Sequence, residues 1–226
     1  MKLSVIMPVY NEKDTIREIL RRVREVLIDK EIIVVDDFST DGTRDILQQE
    51  NRDGTRILAH PKNLGKGHAI RTALKHVTGD IIIIQDGDLE YDPQDYLELI
   101  KPILERKADV VYGSRILKKG FTKSYNRFYW GGKFLTRVTN ILYGAKLTDE
   151  STCYKVFKTE ILKNIDLRCK RFEFCAEVTG KVLKKGYSIM EIPISYYPRK
   201  IEEGKKIRWK DGLESLYTLI KYRIVD

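Results

Sequence analysis

The stretch that most constrains this chain is residues 80–90. Ile81–Ile84 is an unbroken run of β-branched residues, which reads as a strand covered on both faces, because such side chains suit a pleated, enclosed surface. The run leads straight into Asp86, Gly87, Asp88 and Glu90. Gly87 lets the backbone turn where the acidic side chains must converge. Hard oxygen ligands at the C-terminal end of a strand suit Mg²⁺ or Mn²⁺, and such a cation suits a diphosphate. Ligands of open α/β sheets sit at this edge. An Asp-x-Asp pair alone is equally an acidic loop without a metal, so the rest of the chain has to decide.

Strand and helix signals alternate along the first half. Leu3–Val9 is a strand candidate, and Ile16, Ile19, Leu20, Val23, Val26 and Leu27 follow at helical spacing. Ile32–Val35 is a second strand ending in Asp36-Asp37, with a helix expected from about Asp41 to Gln49. Arg56–Ala59 is a weaker third strand. Asn63-Leu64-Gly65-Lys66-Gly67 opens a helix whose apolar face is Ala69, Ile70, Ala73, Leu74 and Val77. Asp92-Pro93 starts another helix, which Pro102 should kink or shorten. Asp109–Tyr112 is the next strand, leading into Gly113-Ser114-Arg115. This spacing predicts an α/β class with a mainly parallel sheet between layers of helices. Carboxylates at two strand ends of one edge repel by about 1 kcal/mol or more per close pair. A bound cation or a hydroxyl-rich ligand is the usual compensation.

The chain has 226 residues and a net charge of +9, which favours anionic partners: nucleotide phosphates, lipid phosphates, an anionic bilayer or nucleic acid. Cys153, Cys169 and Cys175 form no CxxC pair, as expected of free thiols in a reducing cytosol. His60, His68 and His76 lack metal-ligand spacing. The apolar start is too short for a signal peptide, and no run of about 18 apolar residues exists, so no transmembrane helix is expected.

Several nucleotide folds are disfavoured. No G-x-G-x-x-G follows the first strand, and no Walker motif is present. Neither is the glycine-rich, arginine-containing loop of a sugar nucleotidyltransferase. Binding of a sugar nucleotide through carboxylates and a divalent metal is left.

Pro8-Val9-Tyr10-Asn11-Glu12, Asp36-Asp37-x-Ser39-x-Asp41-Gly42, Asn63-x-Gly65-Lys66-Gly67-x-Ala69, Asp86-Gly87-Asp88 and Gly113-Ser114-Arg115 stand in the order and spacing of family-2 glycosyltransferases. Across nearly its whole length the chain resembles the dolichyl-phosphate (polyprenyl-phosphate) mannose and glucose synthases. The resemblance implies a GT-A fold in one domain over 1–226, with a nucleotide-sugar half (1–115) and an acceptor and membrane-facing half (116–226). It also implies a GDP- or UDP-sugar donor, Mg²⁺ or Mn²⁺, and inversion at the anomeric carbon. Pro8, Tyr10 and Glu12 would lie at the donor, Asp37 at base or ribose, and Lys66 in the donor loop. Asp86 would stand beside nucleoside and metal, with Asp88 and Glu90 reaching the metal. Glu90 replaces a glutamine common in the mannose synthases and adds a negative charge. Arg199, Lys205 and Lys206 resemble the basic loop that closes over the diphosphate.

A lipid phosphate acceptor is already ionised and needs a positioning cation rather than a base. Arg115 is the candidate, assisted by Arg127, because a guanidinium binds phosphate oxygens bidentately. In the family the acid matching Asp149 belongs to the acceptor-side motif. A saccharide hydroxyl would instead need a carboxylate base, Asp149 or Glu150. From another class, the chain could be a silent nucleotide-sugar or nucleic-acid-binding module. The aromatic and basic residues of 121–143, and the stripe Trp209, Leu213, Leu216, Tyr217, Ile220 and Ile224, suit a bilayer interface or ordinary helix packing. With the donor motifs, these point to a peripheral protein on the cytosolic face of an anionic membrane, with no nucleic acid partner expected. Residues Phe172–Lys184 read as a helix and Tyr187–Tyr196 as a strand.

Overall fold

The computed structural model describes residues 1–51, 54–118, 126–199, 204 and 206–225, with the side chains of 126 and 127 also set aside. The isoleucine run becomes β4 (Ile81–Ile84), buried at every position, and pairs in parallel with β1 (Leu3–Val9). On the other side of β1 lie β2 (Lys30–Asp36) and then β3 (Thr55–Ala59), all parallel. Pro8 sits in β1 although proline cannot donate to a ladder. The pairing of β1 with β4 stops at Ile6, so no bond is demanded of Pro8 on that side.

Beyond β4 the simple alternation breaks. The sheet has seven strands in the order β3-β2-β1-β4-β6-β5-β7. A short strand, β6 (Lys155–Lys158), lies antiparallel between β4 and β5 (Val110–Ser114). The sequence reading did not foresee it. Its four residues begin and end in lysine, which hides a buried strand. Lys155 is nonetheless fully buried: its Nζ donates to the Glu150 carbonyl at 2.6 Å and sits 3.7 Å above the centre of the Tyr112 ring. The edge strand β7 (Ile189–Pro193) is shorter than expected and pairs with β5 in parallel. Pro193 ends it, as an edge permits.

The expected helices form with adjusted ends. α1 (Ile16–Glu25) buries Ile16, Ile19, Leu20 and Val23. Leu27 lies past its end and is 94% exposed, so it leaves the predicted stripe. α2 spans Thr43–Gln49 and α3 Lys66–Leu74. A short 3₁₀ turn capped by Asp92 precedes α4 (Tyr96–Leu104), which ends two residues after Pro102. α5 (Asn126–Tyr143), α6 (Thr159–Lys163), α7 (Phe174–Lys184) and α8 (Trp209–Ile224) complete the fold. α5, α7 and α8 pack on one another, and the Tyr143 hydroxyl donates to the Leu219 carbonyl at 2.7 Å.

One buried acid clamps the C-terminal half to the N-terminal half. Glu177 on α7 accepts from the Arg168 and Cys169 amides at 2.8 and 2.6 Å and from Lys181 Nζ at 2.8 Å. It thereby fixes the 168–171 strand of chain against α3. The Arg171 and Lys170 carbonyls there accept from the Gly67 and His68 amides. A Cβ on Gly65, at φ +94°, would meet the Lys170 carbonyl oxygen at 2.4 Å, and one on Gly67 would meet Cys169 Sγ at 2.8 Å. Burial pushes the Glu177 carboxyl up, but the Lys181 and amide bonds outweigh it and hold it below the ordinary range. Its contribution is therefore complete above the ordinary carboxylate range and is lost as pH falls through the lower folded value. Glu177→Ala is expected to cost about 3 kcal/mol in urea unfolding near neutral pH. The gap between variant and wild type should narrow in acid.

Candidate active site at the C-terminal edge of the sheet

Because β1, β2, β4 and β5 are parallel, the residues following each of them arrive at one edge. These are Tyr10-Asn11-Glu12, Asp36-Asp37, Asp86-Gly87-Asp88 and Arg115. Because β6 runs the other way, the segment leading into it, 149–154, reaches the same edge. This antiparallel pairing is what brings Asp149 to Arg115, which lies 34 residues away in sequence.

On the donor side, Asp36 is buried, accepting from Arg44 Nε at 2.6 Å and the Ser39 amide at 3.0 Å. Asp37 holds the 63–67 loop: its Oδ1 accepts from the Leu64 amide at 2.8 Å and its Oδ2 from the Gly65 amide at 2.7 Å. His60, which sequence reasoning passed over, completes this arrangement. Its Nδ1 lies 2.7 Å from Asp37 Oδ1 and its Nε2 2.9 Å from Thr72 Oγ1. No spacing rule points to it, because its two partners, after β2 and on α3, are distant in sequence. Asn11 and Phe38 have positive φ, 50° and 67°. Such strain in residues other than glycine clusters at functional sites. The fixed loop presents Lys66, whose Nζ donates to Asp86 Oδ1 at 2.5 Å.

The acidic groups divide among the cations rather than meeting as a three-carboxylate metal set. Asp86 faces Lys66. Asp88 Oδ2 lies 3.1 Å from Arg199 Nη2, and its Oδ1 accepts the Glu90 amide at 3.1 Å. Glu12 accepts from Arg199 Nη1 at 3.0 Å and from Lys206 Nζ. Glu90, expected among the metal ligands, has both oxygens engaged within the protein. Its Oε1 accepts the Arg199 amide at 2.9 Å and its Oε2 faces the Tyr196 hydroxyl at 3.3 Å, so it fastens the segment that delivers Arg199. Tyr10 lies under Lys206, 6.0 Å from Nζ to the ring centre, and Pro8 stays within β1. Lys205 and the Arg127 side chain lie outside the described residues.

Electrostatics nonetheless leave room for a cation. Burial, then Asp86, then Glu90 and Glu12 push the Asp88 carboxyl up to about 7, against the pull of Arg199. Burial also pushes on Asp86, but Lys66 outweighs it and holds that carboxyl low. The described residues contain no ready cluster of three metal ligands. The donor set is hard carboxylate oxygen, and Asp88 is strained by excess like charge. Asp86 and Asp88 therefore fit a divalent cation that would relieve that repulsion.

At the same edge, Arg115 and Asp149 form a bidentate pair, 2.7 Å for both Nε–Oδ2 and Nη2–Oδ1, and the Arg115 amide adds a third bond at 3.0 Å. The Arg115 guanidinium lies 5.1 Å over the Tyr196 ring. Glu191 on β7 accepts from the Thr148 and Asp149 amides at 2.7 and 2.9 Å, and so positions the pair. Burial pushes the Asp149 carboxyl up, yet Arg115 outweighs it and keeps it low. Asp149, expected as one of two candidate bases, has both oxygens engaged and a depressed proton affinity here. Glu150 is buried, with its carboxyl raised by burial; Oε2 accepts from Ser151, and Oε1 has no partner among the described residues. Cys153 Sγ lies 3.7 Å from Lys66 Nζ, and burial holds its thiol far above its ordinary value, so it packs rather than reacts. His60→Ala leaves the buried Asp37 short of a partner. It is expected to cost about 1–3 kcal/mol in urea unfolding, with His60→Gln closer to wild type.

Comparison with known proteins agrees with this geometry. Residues 4–166 match the model of Glycosyl transferase family 2. The low-salt glycan biosynthesis hexosyltransferase Agl6 of Haloferax volcanii is 31% identical over 88% of this chain, which spans 49% of that protein's length. An uncharacterised protein of Methanocaldococcus jannaschii is 30% identical over 99% of this chain and 93% of its own. The dolichol-phosphate mannosyltransferase of Pyrococcus furiosus is 26% identical over 98% of this chain and 64% of its own. Among solved structures, glucosyl-3-phosphoglycerate synthase from Mycobacterium tuberculosis in complex with Mn²⁺, UDP and phosphoglyceric acid superposes with a TM-score of 0.78 at 19% identity. It is covered over 79% of its length and covers 100% of this chain. That likeness establishes the fold. The chain is a GT-A-fold glycosyltransferase and belongs to glycosyltransferase family 2.

Proposed function

We propose that this glycosyltransferase moves a hexose from a GDP- or UDP-sugar to a polyprenyl phosphate, with inversion, at the surface of an anionic membrane. The observation that carries the acceptor class is the Arg115–Asp149 pair. Its guanidinium is pre-oriented at the strand edge, its Nη1 makes no hydrogen bond among the described residues, and its side chain is 21% exposed. A phosphate monoester needs such a cation and no base. The mannosyltransferase of Pyrococcus furiosus supports this acceptor, and the Mn²⁺ and UDP of the mycobacterial synthase support the donor.

In this reading Asp86 and Asp88 hold Mg²⁺ or Mn²⁺. When bound, the metal neutralises charge on the departing diphosphate as a Lewis acid. Tyr10, Glu12 and the remaining lone pair of Asp37 Oδ2 orient the nucleoside. Lys66, Arg199 and Lys206 supply positive charge around the diphosphate. Arg115, held in place by Asp149 and Tyr196, orients the attacking phosphate oxygen.

The membrane is proposed from two helix faces. Trp130, Phe134 and Ile141 of α5 and Trp209, Leu213, Tyr217, Ile220 and Ile224 of α8 are exposed, at spacings that align each set along its helix. Lys133, Arg137, Lys210 and Lys221 accompany them, which suits an interfacial helix on anionic lipid. Among the described residues no helix is long and apolar enough to cross a membrane. The free cysteines fit a site of action on the cytosolic face.

A second reading transfers the sugar to a saccharide hydroxyl. One observation favours it: Glu150, with its raised carboxyl and partnerless oxygen, has the chemistry of a base.

Transfer of labelled sugar into butanol-extractable lipid separates these readings. With detergent, Mn²⁺, a polyprenyl phosphate and separate GDP- and UDP-sugars, one donor is expected to label the lipid. Arg115→Ala should lower that rate at least about a hundredfold, as removal of a charge-stabilising donor does, while Glu150→Gln stays near wild type. Lipid that remains unlabelled, with a labelled saccharide product abolished by Glu150→Gln, would favour the second reading. Separately, Trp209→Ser with Leu213→Ser is expected to abolish flotation with phosphatidylserine liposomes. Flotation equal to wild type would remove α8 from the membrane face.

A further inference from the structure

Arg199 is held more closely by the acidic cluster than a diphosphate-closing residue needs to be. Its Nη1 lies 3.2 and 3.0 Å from the two Glu12 oxygens, and its Nη2 lies 3.1 Å from Asp88 Oδ2. These carboxylates are only 10% and 8% exposed. The chain up to Arg199 is pinned as well: the Tyr197 amide donates to the Glu90 carbonyl at 2.8 Å, and Tyr91 bridges Tyr196. Yet the guanidinium is not fully satisfied. Its buried Nε has no partner among the described residues.

We propose that Arg199 stands in for the divalent cation in the nucleotide-free protein, so that metal and nucleoside diphosphate bind with positive coupling. The proposal rests on the reading of this edge as a metal and diphosphate site. A metal ion on Asp88 would meet a guanidinium already on the same carboxylate, and the two cations repel. A diphosphate offers Arg199 other anionic oxygens in the bidentate geometry it favours. Nucleotide therefore draws Arg199 off Asp88 and opens that carboxylate to the metal. By linkage, the metal favours nucleotide to the same degree. Lys206 differs, because it bonds Glu12 and the Asn11 carbonyl and makes no bond to Asp88 among the described residues.

The test is Mn²⁺ binding to the whole chain by electron paramagnetic resonance without nucleotide, paired with calorimetric titration of UDP and GDP in Mn²⁺. Without nucleotide, Arg199→Gln should bind Mn²⁺ at least about fivefold tighter than wild type, the lower end of ordinary coupling factors. The same variant should bind the nucleoside diphosphate more weakly. Arg199→Lys, which keeps the charge but not the span across both carboxylates, should fall between, and Lys206→Gln should stay nearer wild type in the nucleotide-free experiment. Opposite signs for metal and nucleotide are the signature, since a merely structural role for Arg199 would weaken both. If Arg199→Gln does not fold, Arg199→Lys carries the same comparison with the same sign. Nucleotide-free Mn²⁺ binding that is unchanged or weaker in these variants overturns the proposal, and leaves the donor-site reading standing provided wild type binds metal and nucleotide. Failure of every protein to bind Mn²⁺ or a nucleoside diphosphate overturns both.

Discussion

Negative charge gathered at one edge of a sheet is the constraint around which this molecule is arranged. Glu12, Asp86, Asp88 and Glu90 come from strand ends that parallel pairing forces together, and burial makes their mutual repulsion expensive. The fold answers with Lys66 from the loop before α3, and with Arg199 and Lys206 from the far end of the chain. The compensation is incomplete at Asp88, whose carboxyl remains raised. The edge is thus left electrostatically unsatisfied in a way that a cation would correct, which is what the proposed donor site requires.

The Arg115–Asp149 pair depends on one reversal of strand direction. A wholly parallel sheet would carry the segment before β6 to the opposite edge, and Arg115 would lose Asp149. Placing β6 antiparallel between β4 and β5 returns that segment to the active edge, where Arg115 gains a bidentate partner and a ring beneath it. A guanidinium held at one edge by a carboxylate and on one face by a ring loses little further freedom on meeting a phosphate. The same bond lowers the proton affinity of Asp149, so position and proton affinity are set by one interaction, on which the proposal of an ionised acceptor rests.

Much of this was legible in the sequence where local pattern suffices. The Ile81–Ile84 strand, the stripe of α1 and the capped start before α4 follow from periodicity and turn chemistry. The strand-end motifs named residues that the fold brings together at the edge. What escaped was decided at long range. Lys155 disguised β6 as polar, because only the Tyr112 ring and the Glu150 carbonyl make its burial tolerable. The bonds of Glu90 to the Tyr196 hydroxyl and the Arg199 amide come from more than a hundred residues away, so no local pattern shows them. His60 carries no motif at all, since Asp37 and Thr72 are its neighbours only in the folded chain.

The central claim is that a nucleoside diphosphate and its cation settle on this carboxylate edge. Hydrogen–deuterium exchange of the chain with UDP or GDP and Mn²⁺, against the ligand-free protein, tests it directly. The account predicts added protection in residues 10–12, 36–39, 63–67 and 86–90, with α5 and α8 unaffected. Protection confined to α5 and α8, or none at saturating nucleotide, would contradict it.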